Sequence, residues 1–267
     1  MEYNLKLSGS GNGISSILPW FGCSLQASFN QERTSPESLT FTKEGKYIGM
    51  LYHAFLDIYF SKGERFNPTL VKFVSSTCEL SINEDCRIEA ERLFLHYQED
   101  HFTHSSGEVI STEEHFTIDS SVFNQPGLTA QIDKVTRVLE SHLPNIERQY
   151  GLRLTPGIYS WDYKQHGRQD STLIEQYLNS IQGFFYQKVL QHKYGDGYKG
   201  HIFDVCIRTK SPRCFCIYQE LIDEPQSILI DTTVARGLAL RFAPIANPTR
   251  CYDWGRLCSY FNPCSRY

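Results

Sequence analysis

Apolar residues along the chain recur at two periods, and these divide it into strand-like and helix-like stretches. The clearest strand pattern spans residues 93–118. There Leu93, Leu95, Tyr97, Phe116 and Ile118 fall on one face of a hairpin turning at Ser106-Gly107. His96, Gln98, Asp100, His104, Glu113 and His115 fall on the other, the pattern of a half-buried strand pair. Leu128, Ile132, Val135, Leu139 and Leu143 recur at helical spacing between Pro126-Gly127 and Pro144, which predicts a helix over 128–143. A second helix is predicted over about 172–193. Thr172 and Glu175 match a capping box, Leu173, Tyr177, Ile181, Phe184, Phe185 and Val189 line its buried side, and Gly195 ends it. Residues 201–210, 214–222 and 227–232 read as the strands of a C-terminal meander, with turns at Ser211-Pro212 and Glu224-Pro225. Residues 39–60 read as strand, turn and strand about Glu44-Gly45. The pattern as a whole predicts an α+β fold in which a largely antiparallel sheet, built from the hairpin 93–118 and the meander 201–232, packs with two helices.

No internal repeat and no convincing linker divides the 267 residues, so one domain is expected. Gly9-Ser10-Gly11-Asn12-Gly13 marks a flexible N-terminal arm over 1–16, and residues 244–267 form an irregular Pro-, Cys- and Tyr-rich tail. The glycine run lacks the Gly-Lys-Ser/Thr ending of a phosphate loop.

Composition narrows the function classes. With 40% hydrophobic and 13% aromatic residues but only two methionines, the core is expected to be large, rigid and aromatic. The net charge is -4 and no run of basic residues occurs, so the sequence carries no signal for nucleic acid. No leader-like start and no apolar stretch of spanning length is visible. A cytoplasmic protein without a membrane span is therefore expected. The odd count of nine cysteines fits mostly free thiols in a reducing compartment.

The candidate chemistry centres on Cys23. An apolar stretch over 17–29 with Pro19 in its first turn predicts a helix near Cys23, whose N-terminal dipole would favour thiolate. His201 opens a predicted strand and supplies a base. A meander turning at Ser211-Pro212 places Asp223 opposite His201, while Asp231 is the second candidate acid by its local sequence. Gly22-Cys23 before a helix and His201 before an apolar strand are locally similar to papain-like cysteine proteases, although no Gln precedes Cys23. The expected function is a cysteine-dependent hydrolase or acyl transferase using Cys23, His201 and Asp223 or Asp231, with no cofactor. The alternative is a self-assembling structural or interaction protein, such as a viral coat or occlusion-lattice protein, in which the aromatic tail docks on a protein partner. Two metal readings stand beside these. One is the polar hairpin face of His96, Asp100, His104, Glu113 and His115. The other is the set Cys214, Cys216, Cys251, Cys258 and Cys264, whose spacing matches no common zinc motif.

Overall fold

A five-stranded sheet organises the chain. The computed structural model describes residues 2–4, 14, 17–18, 41–62, 67–74, 84–100, 106–167 and 171–242. The strands of the main sheet are β3 (Glu108–Thr117), β4 (Thr129–Val138), β5 (Gly157–His166), β6 (Tyr198–Ile207) and β7 (Arg213–Gln219). They lie side by side in chain order. Every neighbouring pair is antiparallel except β5 and β6, which run parallel. A parallel pair needs a crossover. Helices α4 (Leu173–Leu178) and α5 (Ile181–Tyr194) lie between those two strands in the chain. A separate short pair, β1 (Glu2–Asn4) and β2 (Lys72–Val74), is parallel. The α+β class and the largely antiparallel sheet are thus as the sequence pattern predicts.

Several elements differ from the pattern reading. Of the stretch 39–60, residues 41–60 lie in a helix, α1 (Phe41–Lys62), instead of two strands. Ile48, Leu51, Tyr52, Phe55 and Tyr59 are buried at helical spacing, and Glu44-Gly45 lies inside the first turns. The hairpin over 93–118 is not formed. Its first half belongs to α2 (Glu84–Asp100), in which Cys86, Ala90, Leu93, Phe94 and Tyr97 are buried while Leu95 is exposed. The alternation of Leu93, Leu95 and Tyr97 therefore masks a helical period. The second half is β3, which pairs with β4. The helix expected over 128–143 is strand β4, and Pro144 opens a helix, α3 (Leu143–Tyr150), rather than closing one. The third meander strand is part of α6 (Glu224–Phe242), where Ile230 and Val234 are buried and Ile228 and Leu229 exposed. The helix over 172–193 is present as α4 and α5, with Ser180 capping the second through Gly183 N–H. The helix expected over 17–29 about Cys23, the loop 9–13 and the tail 244–267 lie outside the described residues.

Among the described residues, four packed clusters hold the sheet, and two of them carry the helices that flank the site. Helices α1 and α2 meet Tyr163 of β5 and Cys206 of β6 in an aromatic cluster; Phe60 stacks on Tyr163 at 6.2 Å and Phe55 on Phe94 at 5.4 Å between ring centroids. Helices α5 and α6 bury Phe184, Phe185, Val189, Ile230 and Val234 against Ile132 and Val135 of β4. Gly183 lets α5 approach the sheet closely, since a Cβ there would lie 2.2 Å from Gln219 Oε1. This close approach sets where Gln182 and Tyr186, its neighbours on α5, can reach. Among the described residues, no helix is long and apolar enough to cross a membrane.

Candidate active site

Strands β4 and β5 pair regularly from Val138↔Gly157 to Lys134↔Trp161, and the ladder stops there. The next residues in that register are Asp133 and Asp162. Where the strands part, the Tyr163 backbone N–H donates to Asp133 Oδ2 at 2.8 Å, so a side chain takes over from the missing ladder. The carboxyls of Asp133 and Asp162 are close enough that each shifts the ionisation of the other. The fork between two strands thus concentrates two carboxyls at one point.

Strand β3 adds a third. Glu113 lies between the pairs Thr112↔Lys134 and Glu114↔Ile132, which sets it opposite Asp133. Its φ is +46°, a left-handed conformation that costs a residue with a Cβ of order 1 kcal/mol or more. Gln131 Nε2 donates to Glu113 Oε2. Backbone strain at a carboxylate that faces two others is a common mark of a functional position.

Helix α1 closes the fork with His53. Its Nε2–H donates to the Tyr163 carbonyl at 3.0 Å, which turns Nδ1 toward the acids. Nδ1 lies 3.5 Å from Asp133 Oδ2 and 3.9 Å from Glu113 Oε1. One ligand atom from each of His53, Glu113 and Asp133 lies within 4.8 Å of the others. One turn further along α1, Asp57 accepts a 2.6 Å hydrogen bond from Tyr3 of β1 and adds its charge to the field at Glu113.

Lys164 lies two residues after Asp162 on the same strand face. Its Nζ is 2.6 Å from Asp162 Oδ2 and donates to Gln182 Oε1 at 3.0 Å. Gln182 Nε2 in turn donates to the Tyr186 hydroxyl at 2.9 Å. The ammonium is therefore held between a carboxylate and an oriented amide.

The electrostatics are those of too many acids in too little water. Burial, then the Asp133 charge, pushes Glu113 up to about 8. Burial raises Asp162 to about 7, with Lys164 opposing the shift and Asp133 adding to it. Burial would also raise Asp133, but the His53 and Lys164 charges hold it well below the usual carboxylate range. Burial acts to lower His53, yet Asp133 and Glu113 outweigh it and carry the imidazole to about 9. Carboxyls that cannot all ionise together are relieved by a bound cation. The donor set of two carboxyls and one imidazole, from Glu113, Asp133 and His53, with Asp162 beside it and the imidazole oriented from behind by a backbone carbonyl, fits Mn²⁺ or Mg²⁺.

The residues singled out from sequence lie elsewhere. Cys23 is outside the described residues. His201 is fully buried in β6, where its Nδ1 meets Ser160 Oγ at 2.7 Å, and Ser160 in turn meets the Tyr198 hydroxyl at 2.6 Å. It pairs across the sheet with Gln219, not with Asp223, because the β6–β7 turn is four residues tighter in register than the expected one. Asp223 is exposed before α6 and accepts from Gln226 N at 2.8 Å. Asp231 lies on α6, 2.5 Å from Lys188 Nζ. The structure brings none of these three together. Of the expected metal face, Glu113 belongs to the cluster described above, His96 lies on α2 and His115 on β3. Asp100 ends α2, and His104 lies outside the described residues. Cys216 is a free thiol on β7, Cys214 lies two residues before it on the same strand, and Cys251, Cys258 and Cys264 lie outside the described residues.

His201 nonetheless leaves a measurable signature. Burial, then the Lys164 charge, lowers it to about 3. Between that value and the ordinary ~6.5 the unfolded chain binds a proton that the native state does not, so stability is lost as pH falls through this window. At pH 5 the loss from this one group is about 2 kcal/mol. Urea unfolding at pH 7 and pH 5 is expected to show it, and His201→Gln is expected to flatten the difference.

No family model and no curated protein matches the chain. Among solved structures, the chain resembles the crystal structure named "Putative exonuclease" from Eubacterium rectale. The TM-score is 0.51 and the identity 14%, over 96% of this chain and 87% of that one. At that identity the likeness is one of fold. It overturns the expectation of a cysteine-dependent hydrolase, whose described members the structure also leaves apart.

Proposed function

We propose that this chain is a divalent-metal-dependent phosphodiester hydrolase acting on nucleic acid. The observation that carries the reading is the convergence of His53, Glu113, Asp133 and Asp162, from α1, β3, β4 and β5, with Lys164 beside them. The fold shared with a structure named as an exonuclease supports nucleic acid as the substrate class.

A divalent ion at these residues would supply Lewis-acid charge for a phosphoryl oxygen and for the attacking water. The chain's own residues do the rest. His53 and the carboxyls hold the site at the fork where β4 and β5 part. Lys164, fixed by Asp162 and Gln182, presents a positive charge at a developing negative one. Tyr186 keeps Gln182 oriented through its hydroxyl. An imidazole in the donor set favours Mn²⁺ over Mg²⁺. The test is cleavage of linear and circular single-stranded DNA, duplex DNA and RNA with Mn²⁺, with Mg²⁺ and with EDTA. The expected result is metal-dependent breakage, faster with Mn²⁺ and abolished by EDTA. A folded protein that cleaves none of these with either ion would overturn the reading.

A further inference from the structure

Arg208 follows β6, and its backbone N–H donates to the carbonyl of His166, the last residue of β5, at 2.7 Å. Its side chain reaches back to α1, where Nη2 lies 3.8 Å from the point a Cβ on Gly45 would occupy. The Nε is buried without a hydrogen-bond partner, and among the described residues no carboxylate pairs with the guanidinium. A partly buried guanidinium with a donor left over is the group best suited to take a phosphate in a forked hydrogen bond.

Two independent paths place it relative to the acids. Gly45, Gly49 and His53 follow one another at four-residue spacing on one face of α1, and eight residues of helix span about 12 Å. Four residues of β5, from Asp162 to His166, span about 13 Å. The guanidinium is therefore one phosphoryl group too far away to touch the phosphate at the acids. It is within reach of a neighbouring phosphate on the same strand. Between the two lies Gly49; apart from its own helix backbone and chain neighbours, no atom of the described residues lies within 4 Å of where its Cβ would be. Glycine is disfavoured inside a helix, and no contact among the described residues asks for it here. A bare stretch of helix is what the close passage of a polynucleotide backbone requires.

We infer that Arg208 is a second phosphate subsite for a nucleic-acid strand, which passes over Gly49 with its scissile phosphate at Asp133 and Asp162. The inference rests on the nuclease reading above, and its test is separable from that one. The experiment measures kcat and KM of wild type, Arg208→Gln and Gly49→Phe on a single-stranded oligonucleotide in Mn²⁺. Mn²⁺ affinity is measured alongside by calorimetry. Both variants are expected to raise KM tenfold or more with kcat and Mn²⁺ affinity nearly unchanged. Arg208→Gln is also expected to shallow the salt dependence of KM by about 0.7 in slope, one phosphate contact on a single strand. In oligonucleotides carrying one neutral methylphosphonate, a single position near the cut should raise KM as much as Arg208→Gln does. That effect should vanish when the two changes are combined. If wild type cleaves the oligonucleotide and Arg208→Gln keeps its KM, the subsite is refuted while the nuclease reading stands. If Arg208→Gln lowers kcat and Mn²⁺ affinity together, Arg208 is structural and the subsite is likewise refuted. If wild type cleaves nothing, both readings fall.

Discussion

Asp133→Asn is expected to cut phosphodiester cleavage by on the order of 10³-fold or more, and to do so without unfolding the protein. Asp133 is the one carboxyl that touches every other part of the cluster. It lies 3.5 Å from His53, opposite Glu113 on β3 and beside Asp162, whose ionisation it shifts. The amide oxygen of Asn can still accept the Tyr163 N–H that joins β4 to β5 beyond the ladder, so the fork keeps its shape. What the substitution removes is the charge held ionised below the usual carboxylate range, the strongest anionic ligand of the set. The distinguishing readout is thermal. A ligand that binds only the native state adds about 2.7 kcal/mol at a hundredfold excess over Kd. For a chain of this size that raises Tm by roughly 5 °C or more. Wild type should show that rise with Mn²⁺ and Asp133→Asn should not. The wild-type affinity should also depend on pH. Glu113 is pushed up to about 8 and His53 to about 9, so below those values protons must leave before the ion binds. Affinity is expected to climb with pH to about 9 and then level off. If Asp133→Asn keeps both the Mn²⁺ shift and the activity, the cluster is removed from the mechanism.

The sequence pattern reveals the α+β class because its period changes are real, and it misplaces elements where burial has more than one face. Helix α2 buries Cys86, Ala90, Leu93, Phe94 and Tyr97, yet three of its residues happen to alternate like a strand. Strand β4 buries Ile132 and Val135 at a separation that also suits a helix. Tertiary packing decides such cases, and a single sequence does not show it. Strands β6 and β7 and the helical stretch 172–193 are legible because Ser211-Pro212 and Gly195 bound them, whereas the break at Ser180 that divides that stretch into α4 and α5 falls inside a continuous helical period.

The site was harder to see for a geometric reason. Its residues come from α1, β3, β4 and β5, and no two of the metal-facing residues are closer than 20 positions in the chain. One local trace is Asp162-Tyr163-Lys164. There two opposite charges sit on one face of an otherwise aromatic strand, an expense that a purely structural strand avoids. Asp133, amid Ile132 and Val135, is a second trace of the same kind. Cys23 and His201 attract notice by residue type, whereas these carboxyls stand out only through burial. Nor does the absence of a basic run weigh against nucleic acid. A cluster of acids holding a cation meets a phosphate through that ion, so the net charge of -4 does not bear on it.

Lys164→Met is expected to lower kcat by about 10²- to 10⁴-fold while leaving Mn²⁺ affinity within a few-fold of wild type. The ammonium faces the cluster from the side of α5, 2.6 Å from Asp162 and 3.0 Å from Gln182, and is not itself a ligand. Its removal takes away a charge that acts on the phosphoryl group, so the loss should fall on kcat and leave KM for the oligonucleotide little changed. Met preserves the apolar stem and its packing, which keeps a folding defect from imitating the effect. Lys164→Arg restores the charge but not the shape. The gap between Asp162 and Gln182 fits a compact ammonium and leaves little room for a planar guanidinium, so this variant is expected to recover only a small part of the rate. Gln182→Ala should fall between wild type and Lys164→Met, because Lys164 would keep its partner Asp162 and lose the amide that aims it. Single-turnover kinetics with saturating Mn²⁺ read all three directly. Equal losses in kcat and in metal affinity would instead make Lys164 a support for the acids, and the positive charge at the reacting phosphate would have to come from another side chain.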